Sequence, residues 1–261
     1  MDHLLTNGFG LNPSFRLAGG WRDLRCRSSK IANMSQEENE YLQERAKRLL
    51  RLLEEVMKSP RRASFVPELP EDNAVSEELA KLADFYVKEM GACLGAAAFL
   101  GANVVAVSTL EVLLLMRCLS DRSKVCGTKR WQSLQNKSTP KPFLTVLLKI
   151  HLRDLLFISD ELSWFPKGGI PLSLRLRLAE LFGNAAADKF SAPANATLSF
   201  SEFAVTASAE LRNLLHPGRC VRIPVDPRQS VYSPVDLVDY LGMFGCACTL
   251  LALGSFLENQ P

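Results

Sequence analysis

GACLGAAAFLGANVVAVSTLEVLLLM, residues 91–116, is the stretch on which the fold turns. It is almost wholly apolar and near the length that crosses a bilayer, for which roughly 20 apolar residues suffice. A helix buried on every side within a bundle is hydrophobic all round and has the same appearance. Asn103 and Glu111 interrupt the run, and Glu111 is the one acid between Gly91 and Met116. An ionised carboxylate in lipid is costly, so these residues favour the bundle. A second apolar run, Tyr240–Leu257, is rich in Gly, Ala and Cys rather than in Leu and Ile. Neither run carries a decisive basic cluster at one end. The expectation is an all-α helical bundle with both runs in its core and no stable membrane span. Inside such a core Glu111 must be paired or neutral.

Upstream, helical spacing begins near Asn73 or Ser76 and passes through Leu79, Leu82, Phe85 and Tyr86 into the run, ending near Leu119. That is long for one helix, and Gly91, Gly95 and Gly101 are the places for a break. Small residues at 91, 92 and 95–98 let another helix approach closely. Further upstream, Ser35 and Glu38 form a capping box. Leu42, Ala46, Leu49, Leu50, Leu53 and Met57 then recur at helical spacing to about Lys58, where Ser59-Pro60 stops the helix. Pro60, Pro67 and Pro70 mark 59–72 as a linker. Residues 1–33 have no sustained period and no secretory apolar core, and are expected to be a disordered leader, with Met34 as a candidate true start.

Downstream, 120–142 is polar and basic, with Arg122, Lys124, Lys129, Arg130, Lys137, Lys141 and Trp131. A solvated loop is the expectation, and a nucleic-acid patch with an aromatic is the sharper alternative. A helix over about 143–162 buries Leu144, Leu147, Leu148, Leu152, Leu155 and Ile158 and carries His151 and Asp154. Trp164–Gly169 reads as a turn, 171–182 as a short helix, 183–198 as a loop and 201–216 as a helix. Ser233, Pro234 and Asp236 open a last helix that runs to about Leu257. The sum is five to six helices and no strand, organised as leader (1–33), N-terminal helix and linker (34–72) and helical bundle domain (73–261).

Composition narrows the function. Lys and Arg number 31 against 28 Asp and Glu, a net charge of +3 that demands neither nucleic acid nor an anionic membrane. The seven cysteines are odd in number and lack a CxxC spacing, and Cys246-Ala-Cys248 has the wrong separation for a usual zinc site. The three histidines are scattered. No metal, no cofactor and a reducing, cytoplasmic setting are expected. GxSxG, GxGxxG after a strand, P-loop and HExxH motifs are absent.

One decad stands out: Glu210-Leu-Arg212-Asn213-Leu-Leu-His216-Pro217-Gly218-Arg219. Arg212 and His216 are four apart and share a helix face, and Pro217-Gly218 ends the helix behind them. With Thr109–Leu114 and LRDLLFISDELSWFP before it, the string LRNLLHPGR resembles a group of bacterial all-helical proteins with an RNxxHPG helix end. That group is itself similar to the HEPN superfamily, helical domains of toxins and antiviral ribonucleases. The resemblance covers roughly residues 75–257. It implies that Arg212 is the signature arginine, Asn213 its polar follower and His216 the histidine. Three residues separate Arg212 from His216, one short of the family's usual range. It also implies a site shared across a homodimer. A histidine titrating near neutrality moves protons on and off a ribose hydroxyl, and an arginine holds phosphorane charge. Arg219 and Arg222 could hold an RNA backbone.

The same residues fit a structural role. His216 suits the carbonyl end of a helix, Arg212 can pair with Glu111, and Asn213 can satisfy a loop. Asp154 is a second candidate structural partner. Two functions therefore stand: a non-catalytic HEPN-like module that binds a protein partner, nucleotide or RNA, and a metal-independent endoribonuclease of a defence or toxin system.

Overall fold

A computed structural model describes residues 36–58, 65–135, 141–165 and 234–259. Among these the protein is all-α, a helical bundle without strands, as expected. Its helices are α1 (Gln36–Met57), α2 (Asn73–Gly95), α3 (Phe99–Ser120), α4 (Arg122–Gly127), α5 (Lys129–Gln135), α6 (Phe143–Leu147), α7 (Leu152–Glu161) and α8 (Pro234–Glu258). A single 3-10 turn, Pro70–Asp72, leads into α2.

The apolar run around which the fold was expected to form is α3. No residue from Phe99 to Ser120 is exposed, and α2, α4, α7 and α8 all pack on it. Phe99, Leu110, Leu113, Leu114 and Leu119 are completely or almost completely buried. By length and composition α3 is the one described helix that could cross a membrane. Here it is the central core helix. Glu111 lies on its half-buried stripe, with Val104, Ser108 and Leu115, rather than on its fully buried side.

The expected break in the long helix falls directly after Gly95. Ala97 takes the left-handed conformation, with φ 54°. Its N–H donates to the Leu94 carbonyl at 3.0 Å, and the Ala98 N–H donates to the Cys93 carbonyl at 2.8 Å. This crossed pair of bonds satisfies the last carbonyls of α2. The chain then returns as α3, so α2 and α3 form an antiparallel hairpin. Cys93 packs on the turn, with its Sγ 3.2 Å from where a Cβ on Gly101 would stand.

α8 runs alongside α3 in the same direction. A Cβ on Gly242, early in α8, would lie 2.7 Å from the backbone N of Leu100, at the start of α3. At the far end Phe256 stacks on Phe65 at 5.9 Å and meets Trp164 edge-on at 6.5 Å, beside Arg117 of α3. α1 packs on both α2 and α8. Ala46, Leu49, Leu52, Leu53 and Val56 form its buried face, and Val56 touches Gly254. The expected positions 46, 49 and 53 hold; 42, 50 and 57 are only partly buried.

Two segments differ from the sequence reading. Residues 120–142, expected as a solvated loop, are instead the short helices α4 and α5 in their described part. The helix expected over 143–162 is two helices, α6 and α7, with an extended His151 between them at φ −85°, ψ 149°. One continuous helix would put Leu147 and Leu152, five apart, on different faces. The break buries both, and it leaves Leu148, expected in the core, 55% exposed.

Candidate functional site

Arg212, Asn213, His216, Arg219 and Arg222 lie outside the described residues. Glu111 and Asp154 lie within them. The described side chains that carry chemistry gather at one end of the bundle, where α3 gives way to α4 and α5.

Arg117 sits in the last turn of α3, where a cation suits the carbonyl end of the helix. It is buried, ion-paired with Asp121 at 2.7 Å, and its guanidinium lies over the rings of Phe65 at 5.9 Å and Trp164 at 5.7 Å. Lys124 reaches the other oxygen of Asp121 at 3.2 Å. Burial of two charges is costly unless partners surround them. Here aromatic faces and a second cation provide them.

The linker supplies the next layer. Arg122 Nη1 donates to Asp72 Oδ2 at 2.7 Å, and Asp72 is fully buried. The same guanidinium lies 4.6 Å over Phe143, whose ring in turn meets Trp131 at 4.6 Å. Glu68 accepts from both the N–H and the hydroxyl of Ser123, each at 2.8 Å, so a carboxylate caps the start of α4 from 55 residues away in sequence. Glu161 does the same for α5, accepting from the N–H groups of Lys129 at 2.7 Å and Arg130 at 2.9 Å. Free N–H groups at a helix start favour a negative charge.

Asp154, in the first turn of α7, is buried and accepts from Arg130 Nε at 2.8 Å and from Arg130 Nη2. It is thus a structural partner, and its cation comes from the basic stretch. Arg122, Lys124 and Arg130 each meet a carboxylate, and Trp131 is 3% exposed. The sharper reading of that stretch, a nucleic-acid patch with a stacking aromatic, needs the ring open to solvent. His151 is exposed. Among the described residues no group of three or more His, Cys, Asp or Glu is placed to hold a metal.

The described cysteines, Cys93, Cys118, Cys126, Cys246 and Cys248, are free thiols. Burial pushes the thiols of Cys118 and Cys248 far up, and that of Cys246 up to about 12. A thiol held protonated is a poor nucleophile. Burial also raises the exposed Cys126, by less.

Sequence reading missed Glu68, Asp72, Arg117, Asp121 and Glu161. Arg117 and Asp121 carried a signal, an i, i+4 ion pair at the end of an apolar helix. Glu68 and Glu161 carried none, because their partners are distant in sequence. Comparison of the chain with protein-family models, with curated proteins and with solved structures finds no match.

Proposed function

We propose that this protein is a HEPN-like helical module that works by binding a protein partner and not by catalysis. The observation that carries this reading is the use of the basic stretch within the fold: Arg122 and Arg130 are paired with the buried carboxylates of Asp72 and Asp154, and Trp131 is buried. Side chains committed in this way anchor helices and have little left for phosphates. This reading keeps the roles expected from the sequence: Pro217-Gly218 to end a helix, His216 to suit its carbonyl end and Arg212 to pair with Glu111.

The motif of Arg212, Asn213 and His216 sustains one second reading, metal-independent RNA cleavage. Labelled RNAs of varied sequence, incubated with the purified full chain and with His216→Ala across a range of pH, separate the two. The binding module leaves the RNA intact. Cleavage by the wild type that His216→Ala abolishes would overturn it in favour of the ribonuclease. For the Arg212–Glu111 pair, Glu111→Gln and Arg212→Met should destabilise non-additively in a double-mutant cycle, with a coupling of about 1 kcal/mol or more.

A further inference from the structure

We infer that one face of α2 is a self-association surface, on which a second copy of this chain lays its own α2 antiparallel about Phe85. The inference rests on the binding role proposed above and names the partner. Phe85 is 53% exposed and Leu82 37% exposed, on a helix whose opposite side is fixed in the core by Leu79, Ala83, Met90 and Leu94. Single exposed apolar residues are ordinary on a soluble surface. What carries the inference is the order of the residues on either side of Phe85.

A two-fold axis through Phe85 sets residues equally far before and after it opposite one another, as a closed dimer requires. Four before is Lys81 and four after is Glu89, so each lysine meets the glutamate of the other copy, twice. Three before is Leu82 and three after is Lys88, so each leucine lies along the aliphatic stem of a lysine. Seven before is Glu78, which faces Ala92; eleven before is Ala74, which faces Ala96. Every one of these residues is exposed, and no like charges meet. Alanines at both ends leave room for the helices to close, and Phe85 meets its own copy at the centre. Glu78 holds Lys81 at 2.7 Å in the single chain, but an exposed pair at three residues' spacing is weak and leaves the lysine able to bridge.

One helix pair is small for an interface, so the dimer is reversible, with a Kd on the order of micromolar. Sedimentation velocity of the full chain over a wide concentration range tests it, with far-UV circular dichroism confirming that each variant folds. The wild type should pass from monomer to dimer as concentration rises. Phe85→Glu should raise Kd about tenfold or more. Lys81→Glu and Glu89→Lys should each raise it several-fold, and the two together should restore it to near wild type. A wild type that stays monomeric, a folded Phe85→Glu with unchanged Kd, or a double variant weaker than both singles would each overturn the inference. RNA cleavage lost in His216→Ala would sink the binding-module reading by itself, so the two failures are told apart.

Discussion

Asn103 shows how much a single side chain can cost this fold. It is completely buried in α3, and neither its amide nitrogen nor its oxygen has a hydrogen-bond partner. A buried polar group left unpaired costs about 1–3 kcal/mol. Leucine has nearly the same shape, carries no polar atoms and favours a helix more. Asn103→Leu should therefore raise the unfolding free energy by about 1–2 kcal/mol, read from urea denaturation. A loss of stability would mean that the amide has a role that the fold alone does not supply. Ala97 is a second such residue. At φ 54° its Cβ crowds the following carbonyl, at a cost of roughly 1 kcal/mol. Ala97→Gly should recover about that much in thermal or urea unfolding.

At the scale of elements, glycines on different helices do opposite things. A methyl at Gly242 would stand 2.7 Å from the backbone N and 2.8 Å from the Cα of Leu100. Backbone cannot swing aside, so α8 would have to lift off α3. Alanine gains about 1 kcal/mol of helix propensity over glycine, but such overpacking costs about 1–3 kcal/mol, and contact with two backbone atoms puts it at the upper end. Gly242→Ala should destabilise by about 2 kcal/mol, whereas Gly91→Ala, with nothing within 4 Å of the new methyl, should stabilise by up to about 1 kcal/mol. Paired melting curves would check both at once, and equal shifts would refute the close approach.

The elements also show what was legible beforehand. α1, α8 and the start of α2 were read to within a few residues because each helix buries one face, or all faces, at helical period. The break near Gly95 was legible as a choice among three glycines; the choice was made by Ala97, through hydrogen bonds that no local pattern announces. α4 and α5 were not legible. Their stability comes from Glu68 and Glu161 capping them from other parts of the chain, and sequence proximity carries no trace of that. The His151 break was hidden because Leu148 looks like a core residue until the register of Leu147 and Leu152 is known. Of the residues singled out beforehand, Asp154 meets Arg130, a partner 24 residues away that no sequence pattern named.

For the whole molecule, the buried thiols link stability to pH. Cys118, Cys246 and Cys248 hold their protons more tightly folded than unfolded, because burial disfavours the thiolate. Below the ordinary thiol value of 9.0 both states keep the proton and their contribution is level. Above it the unfolded chain releases protons that the folded chain retains, so stability falls as pH rises from 9.0 toward about 12. Each thiol adds a slope of up to about 1.4 kcal/mol per pH unit. Urea denaturation of the wild type and of a Cys246→Ala, Cys248→Ala variant at stepped alkaline pH should show a shallower decline in the variant; equal declines would show the thiols are not the source. Alkylation followed by mass spectrometry should label Cys126 in the native protein, and Cys118, Cys246 and Cys248 only after unfolding.

The shared direction of α3 and α8 has a consequence for biosynthesis. Among the described residues, what shields the central helix on one side is the segment around Gly242–Phe256, and the ribosome makes it more than a hundred residues after α3. Throughout that interval the nascent protein lacks the cover that α8 gives this greasy flank. Translation speed over this stretch, and whatever holds the emerging polypeptide, should govern soluble yield more strongly than the stability of the finished bundle.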